Sequence, residues 1–216
     1  MTIEQILAEE FNLKEEQVVT TVELIDEGNT ISFIARYRKE VTGSLDDTIL
    51  RDLFDRLTYL RGIAKRREEV KNLIDAQGKL TEELVAAIDA AQTITEIDDI
   101  YRPYRPHRKT RASVARERGL EPLAELLFEQ REEYEKPLEE IAAEYIDEEK
   151  GVPDVAAALA GAKDIIAENV SDNASCRKSV RTLTVEHGAI VSKAAKEEDS
   201  VYAQYYDFNE KVKKIL

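Results

Sequence analysis

Apolar residues fall three or four positions apart at Leu50, Leu53, Leu57, Leu60 and Ile63, and the stripe resumes at Val70 and Ile74. No proline occurs before Pro103, so nothing in the chain's first hundred residues removes a helical hydrogen bond. This spacing places one apolar face along an uninterrupted amphipathic helix. Ser44-Leu45-Asp46-Asp47 fits a capping-box pattern at its start, and Gly78 offers a C-terminal cap. A helix from Asp46 to Gln77 is roughly 48 Å long at about 1.5 Å per residue. That is longer than one small domain is wide, so the helix reads as a strut joining two lobes.

The rest of the chain is helical in pattern. Thr2 caps a first short helix with Ile3, Ile6 and Leu7 on one face. A second helix from about Lys14 to Glu27 presents Val18, Val22 and Ile25 and breaks at Gly28-Asn29. Thr30 caps a third through Ile31, Ile34, Ala35 and Val41, ended by Gly43. Further helices start at Thr81, at Thr95, before Gly119, at Glu121-Pro122, at Val152-Pro153-Asp154 and at Ser175. The β-branched Thr182, Thr184 and Val185 weaken the last of these. Ala189 to Ala195 fits either a helix or a short extended piece, and Tyr202 to Leu216 has no clear helix face. The expected fold is all-α, about ten helices in two lobes. The N-terminal lobe with its connecting helix takes residues 1–78. A second helical lobe takes 79–198 and includes a basic loop at 101–118. Residues 199–216 form a tail.

Several chemistries are excluded. No two of the eight glycines lie within nine residues of each other, so neither a phosphate-cradling loop nor a dinucleotide fingerprint is present. His107, His187 and Cys176 sit at no known metal spacing, so no metal and no cofactor is expected. No serine lies in a nucleophile elbow. Carboxylate pairs carry no information in a chain with 45 Asp and Glu. No enzymatic activity and no small-molecule ligand is expected. The rival reading, a remnant of nuclease chemistry, needs acids clustered around a divalent metal. The single cysteine and the acidic first ten residues fit a cytoplasmic protein without a signal peptide. The longest uncharged apolar run, Val155 to Ala162, is eight residues against the roughly 20 of a membrane span. A net charge of -14 repels polyanions, so nucleic-acid contact requires a local basic patch.

Two such patches exist. Tyr101 to Arg118 carries seven Lys and Arg against one Glu, a local +6. Tyr101 and Tyr104 are interleaved with Arg102, Arg105, Arg108, Lys109 and Arg111, which suits phosphate contact and base stacking. The alternative is structural: the loop docks on the acidic helices of residues 121–149, whose net charge is -10, or on other domains. The second patch is Arg36, Arg38 and Lys39, on the second helix of a pair joined by a short glycine turn. An ordinary helical hairpin is the far commoner explanation of such a pair, and Glu23, Asp26, Glu27 and Glu40 oppose DNA approach. A third cluster, Arg61, Lys65, Arg66, Arg67 and Lys71, reads as a solvated face supported by Glu68 and Glu69. Cys176 is expected to be buried or half-buried, and His187 to sit at a helix C-terminus.

The segment from Tyr101-Arg102-Pro103-Tyr104-Arg105-Pro106 to Gly119-Leu120-Glu121-Pro122-Leu123-Ala124 resembles the signature of the Tex family of bacterial transcription accessory proteins. Leu24 to Gly43 is similar to that family's helix-turn-helix-like N-terminal segment, and Tyr205-Tyr206-Asp207-Phe208 to a third motif. The resemblance implies a helical N-terminal region that precedes an RNase H-like domain, a helix-hairpin-helix pair and an OB-fold RNA-binding domain, none of which fits within these residues. It implies a non-catalytic scaffold that orients those nucleic-acid-binding domains. RNA or single-stranded DNA would then be bound mainly outside this chain, with the transcription machinery as a further partner. Two alternatives stand: direct nucleic-acid binding through Tyr101–Arg111, and a protein–protein interaction module.

Overall fold

The computed structural model describes residues 1–106, 109–130, 134, 136–196 and 200–215. Among them are thirteen α-helices and one two-stranded antiparallel sheet, so the fold is predominantly all-α. The chain divides into two compact units, Met1–Ile97 and Asp98–Leu216.

The first unit holds α1 (Ile3–Phe11), α2 (Glu15–Asp26), α3 (Ile31–Tyr37), α4 (Lys39–Thr42), α5 (Asp47–Asp75) and α6 (Glu82–Ala90). A seventh helix, α7 (Ile94–Tyr101), carries the division. Side chains cap most of these helices as their sequences predict. Thr2 and Gln5 bond reciprocally, Thr30 Oγ1 accepts from the Phe33 amide, and Thr81 Oγ1 from that of Leu84. The long helix begins at Asp46, whose carboxylate accepts from the Ile49 amide at 2.8 Å, and Ser44 lies in a left-handed turn before it. The α7 cap is Thr93, not Thr95, because Thr93 Oγ1 takes the Glu96 amide.

The apolar stripe of α5 is the wall of this unit's core. Leu53 and Leu57 pack with Leu7, Val18 and Val22, while Leu50 packs with Leu24, Ile34 and Leu45. Each fully buried leucine contributes about 2 kcal/mol of apolar burial. The outer face of α5 is largely solvated and ion-paired, but Arg67 departs from the expected solvated face: it is half-buried and donates from Nη2 to Ala91 O at 2.7 Å. Arg61 forks onto Asp26 at 2.6 and 2.7 Å, Arg66 meets Glu69, and Lys71 reaches Glu68 and Asp89. Hydrogen bonding from Arg61, working against slight desolvation, holds the Asp26 carboxyl below its ordinary pKa.

The helix expected over Ile31–Val41 is in fact two. Arg38, at φ -126° and ψ 21°, interrupts it, and α4 turns back toward α2. Gln17 fixes that return with both ends of its amide. Its Oε1 accepts from the Lys14 amide at 3.2 Å, and its Nε2 donates to Thr42 O at 3.2 Å. Gly43 follows at φ +68°, and a Cβ there would collide with the Gln17 amide. Gly43→Ala therefore meets left-handed strain and displaces the Gln17 bond together. We expect a loss of about 1–2 kcal/mol, read as a lower urea midpoint with an unchanged m-value. An unshifted midpoint refutes this role for Gly43.

The second unit continues from α7 through a 3-10 turn at Arg102–Tyr104 into α8 (Arg111–Glu117), α9 (Glu121–Phe128) and α10 (Leu138–Ala143). It then holds α11 (Val155–Asp172), α12 (Ala174–His187), β1 (Ala189–Lys193), β2 (Asp207–Lys211) and α13 (Val212–Ile215). The core gathers around α11, where Ala158, Ala162 and Ile165 meet Ala112, Ala115, Leu120, Leu123 and Ala142. Small residues bring the backbones close. A Cβ at Gly161 would overlap Leu120 Cδ1 and lie 3.3 Å from Ala115 Cβ.

Ala189 to Lys193 is a strand, paired with Asp207–Lys211 from Ala189↔Lys211 to Lys193↔Asp207. Neither α12 nor α13 buries any side chain fully, and both strands are half-buried at most. Cys176 departs from expectation: it is exposed on the first turn of α12. The cause is that α12 has no core to face. His187 is the last residue of α12, as expected. Among the described residues, no helix is long and apolar enough to cross a membrane.

Candidate nucleic-acid interface

The basic segment is built by two prolines and two caps. Pro103 lies in the 3-10 turn, Arg105 leaves it extended at φ -64° and ψ 141°, and Thr110 restarts the chain as the N-cap of α8. The Thr110 hydroxyl accepts from the Ser113 amide and donates to Glu168 Oε2 at 2.8 Å. The loop is thus tied to α11 at its helical end.

Its cations are engaged by carboxylates. Arg102 meets Asp172 at 2.5 Å, and Arg116 meets Glu168 at 2.6 Å while also reaching Asn169 and Glu121. Arg111 stands 3.7 Å from Asp164, Arg105 3.7 Å from Asp98, and Lys109 3.2 Å from Glu117. The three acids on α11, Asp164, Glu168 and Asp172, recur every fourth residue, which aligns them along one helical face. The loop's main acidic partner is therefore α11. From the acidic stretch of residues 121–149, Glu121 pairs with it through Arg116 at 3.4 Å.

The pairs differ in weight. Arg111 is 89% exposed, so its long contact contributes little. Asp172 and Glu168 are only 12% and 20% exposed, and their short charge-assisted bonds are stronger. The Tyr101 ring is 6% exposed, with the Arg105 guanidinium 5.7 Å from its centroid, so it offers no open stacking face. Tyr104 is half-buried. Arg108 and His107 lie outside the described residues.

A second charge cluster of this unit has no counterpart in the sequence reading. Asp99, on α7, accepts from Arg177 Nε and Arg181 Nη2 of α12, each at 2.6 Å. Burial alone would push the Asp99 carboxyl up. The bonds from both arginines outweigh it, and the pKa lies below its ordinary value. The i, i+4 spacing of Arg177 and Arg181 is the signal that could have marked this clamp.

The other predicted cations lie in the first unit, Arg36 on α3, Lys39 on α4 and Arg38 at the break between them. Arg36, Arg38 and Lys39 are all exposed, and none forms an ion pair among the described residues. Arg38 donates to the neighbouring Tyr37 carbonyl at 3.4 Å. The two guanidiniums lie over aromatic rings instead: Arg36 is 6.0 Å from the Tyr37 centroid, and Arg38 is 5.2 Å from that of Phe33. The Phe33 and Tyr37 rings lie 5.3 Å apart, tilted by 46°, and Tyr37 is 61% exposed. Charge marks these cations in the sequence, whereas the signal for the rings is their i, i+4 spacing, which puts them on one face. Among the described residues, no three His, Cys, Asp or Glu side chains gather where they could hold a metal ion.

Comparison with known proteins adds two family matches. Residues 1–75 match the Tex-like protein N-terminal domain, and residues 133–216 match the Tex central region. Protein YhgF of Escherichia coli (strain K12) is 44% identical over 209 residues, which are 95% of this chain and 27% of that protein. The transcriptional accessory protein Tex of Neisseria gonorrhoeae is 39% identical over 216 residues, 99% of this chain and 28% of that one. The human S1 RNA-binding domain-containing protein 1 is 32% identical over 195 residues, 89% of this chain and 19% of its own length. The chain thus spans less than a third of the length of these relatives.

Proposed function

We propose a role that proceeds from the chain's family: it belongs to the Tex-like transcription accessory proteins and corresponds to their N-terminal and central regions. It serves as a non-catalytic scaffold, and the nucleic-acid-binding parts it orients lie in the remaining length of such proteins. The names of two relatives, one a transcriptional accessory protein and one containing an S1 RNA-binding domain, support that setting. The observation that carries the scaffold reading is the pairing of the basic loop with α11. Arg102 and Arg116 meet the partly buried Asp172 and Glu168 at 2.5 and 2.6 Å, so the conspicuous positive segment is tied into packing within its own unit. A phosphate would have to displace carboxylates already in place.

The test is fluorescence anisotropy of the chain with single-stranded RNA and duplex DNA across a salt series. Arg105→Glu/Arg111→Glu should change any affinity by less than about twofold, since these cations release few counterions. A tenfold loss, with the far-UV circular dichroism unchanged, would make the loop a nucleic-acid contact and sink the scaffold role assigned to it. A protein–protein role is supported by a separate observation. Val180, Leu183, Ile190 and Val191 stand 48–62% exposed on α12 and β1.

A further inference from the structure

We infer that the α3–α4 surface of the first unit is a binding site for single-stranded nucleic acid, built from Phe33, Tyr37, Arg36, Arg38 and Lys39. This inference is independent of the scaffold reading, because it uses neither the basic loop nor the second unit. Three observations carry it. First, the three cations have no carboxylate partner among the described residues, in a chain whose net charge is -14. In the basic loop, by contrast, Arg102, Arg105, Lys109, Arg111 and Arg116 each sit beside an acid. Second, the cations are interleaved with rings that stay outside the core, and Tyr37 is 61% exposed. Third, Asp26, one of the acids that would oppose a phosphate there, is occupied by a two-pronged bond from Arg61.

The chemistry selects a single strand over a duplex. Exposed rings bind by stacking, and only unpaired bases offer a free face. The guanidiniums that now lie over the rings are placed to move onto the phosphates between stacked bases. A major-groove reader instead needs a helix that fits the groove with its polar side chains on the base edges. Here α3 is seven residues, about 10 Å, and ends at the break at Arg38. RNA and single-stranded DNA share this chemistry, and the experiment separates them.

Fluorescein-labelled rU12, dT12 and a 12-base-pair duplex would be titrated with the chain by anisotropy between 20 and 200 mM salt. The single strands are expected to bind with Kd on the order of 10–100 µM at the lowest salt. The log–log salt slope should lie near about -2, for about three neutralised phosphates on a single strand. Tyr37→Ala should weaken binding about tenfold by removing one stacking face. Arg36→Glu/Arg38→Glu should abolish it, while Arg105→Glu/Arg111→Glu should leave it within about twofold. The circular dichroism of each variant confirms its fold. A preference for rU12 assigns the site to RNA, and one for dT12 to DNA. Three results overturn the inference: no single-strand binding at 20 mM salt, tighter binding of the duplex, or equal binding by the Tyr37→Ala and parent chains. Loss of binding in the loop variant alone would overturn it as well, and would sink the scaffold reading with it.

Discussion

Gly161→Leu is expected to lower the stability of the second unit by about 3 kcal/mol or more, a fall of roughly 10 °C in Tm for a domain of this size. The reason is distance. Gly161 lies mid-helix in α11, where an isolated glycine costs about 1 kcal/mol relative to alanine. The close approach of α8 and the Leu120 side chain balances that cost. A Cβ would overlap Leu120 Cδ1, and Leu120, 1% exposed, has no open space to retreat into. Gly161→Ala should cost less, about 1 kcal/mol, because helix propensity offsets only part of the push on Leu120. A leucine adds three more carbons to the same contact, and the core can admit them only by spreading the helices. Thermal melts of the parent and both variants test this, and a leucine variant melting with the parent would remove close packing as the reason for the glycine.

Asp99→Ala should cost about 2–3 kcal/mol and act mainly on the attachment of α12. The substitution removes two charge-assisted bonds and leaves Arg177 and Arg181 without their shared acceptor. Both arginines are a third or more exposed, so water recovers part of the loss, and the cost stays below that of a fully buried ion pair. The pH dependence has a definite sign. The folded-state pKa of Asp99 is depressed, so its contribution is fully present above the unfolded value of about 3.9. It is lost as pH falls through the folded value, when the native carboxylate takes up a proton. Asp99→Asn should flatten stability against pH in that acid window and leave the shape near neutrality unchanged. Urea unfolding at pH 7 and at pH 3 measures both effects, and a variant with the parent's acid slope would show that Asp99 is not the group responsible.

The parts of this fold that were legible in the sequence are those set by local physics. Thr2, Thr30 and Thr81 announced helix starts because a hydroxyl needs only the amide three residues on. The α5 stripe announced a long helix because its spacing is set by helical pitch. What stayed hidden is non-local. Arg102 finds Asp172 seventy residues away, and Arg177 finds Asp99 seventy-eight away. No spacing rule reports such partners. The strand at Ala189–Lys193 was ambiguous because its register depends on Asp207–Lys211, a polar run without alternation. At the candidate site, the cations were legible from charge. Which of them lack acids, and which rings stand beside them, required the folded chain.

The two faces of α11 bear on how the second unit holds its phase. The helix carries Ala158, Gly161 and Ala162 into the core, and Asp164, Glu168 and Asp172 toward the loop. Successive residues turn about 100° around a helix axis, so slipping α11 by one position would swing both faces by that angle. The small residues would then leave the tight crossing at the moment the acids left the arginines. Rotational register is fixed twice, once by volume and once by charge. The two constraints fail together, so α11 behaves as a keyed shaft, admitting one angular setting and refusing its neighbours.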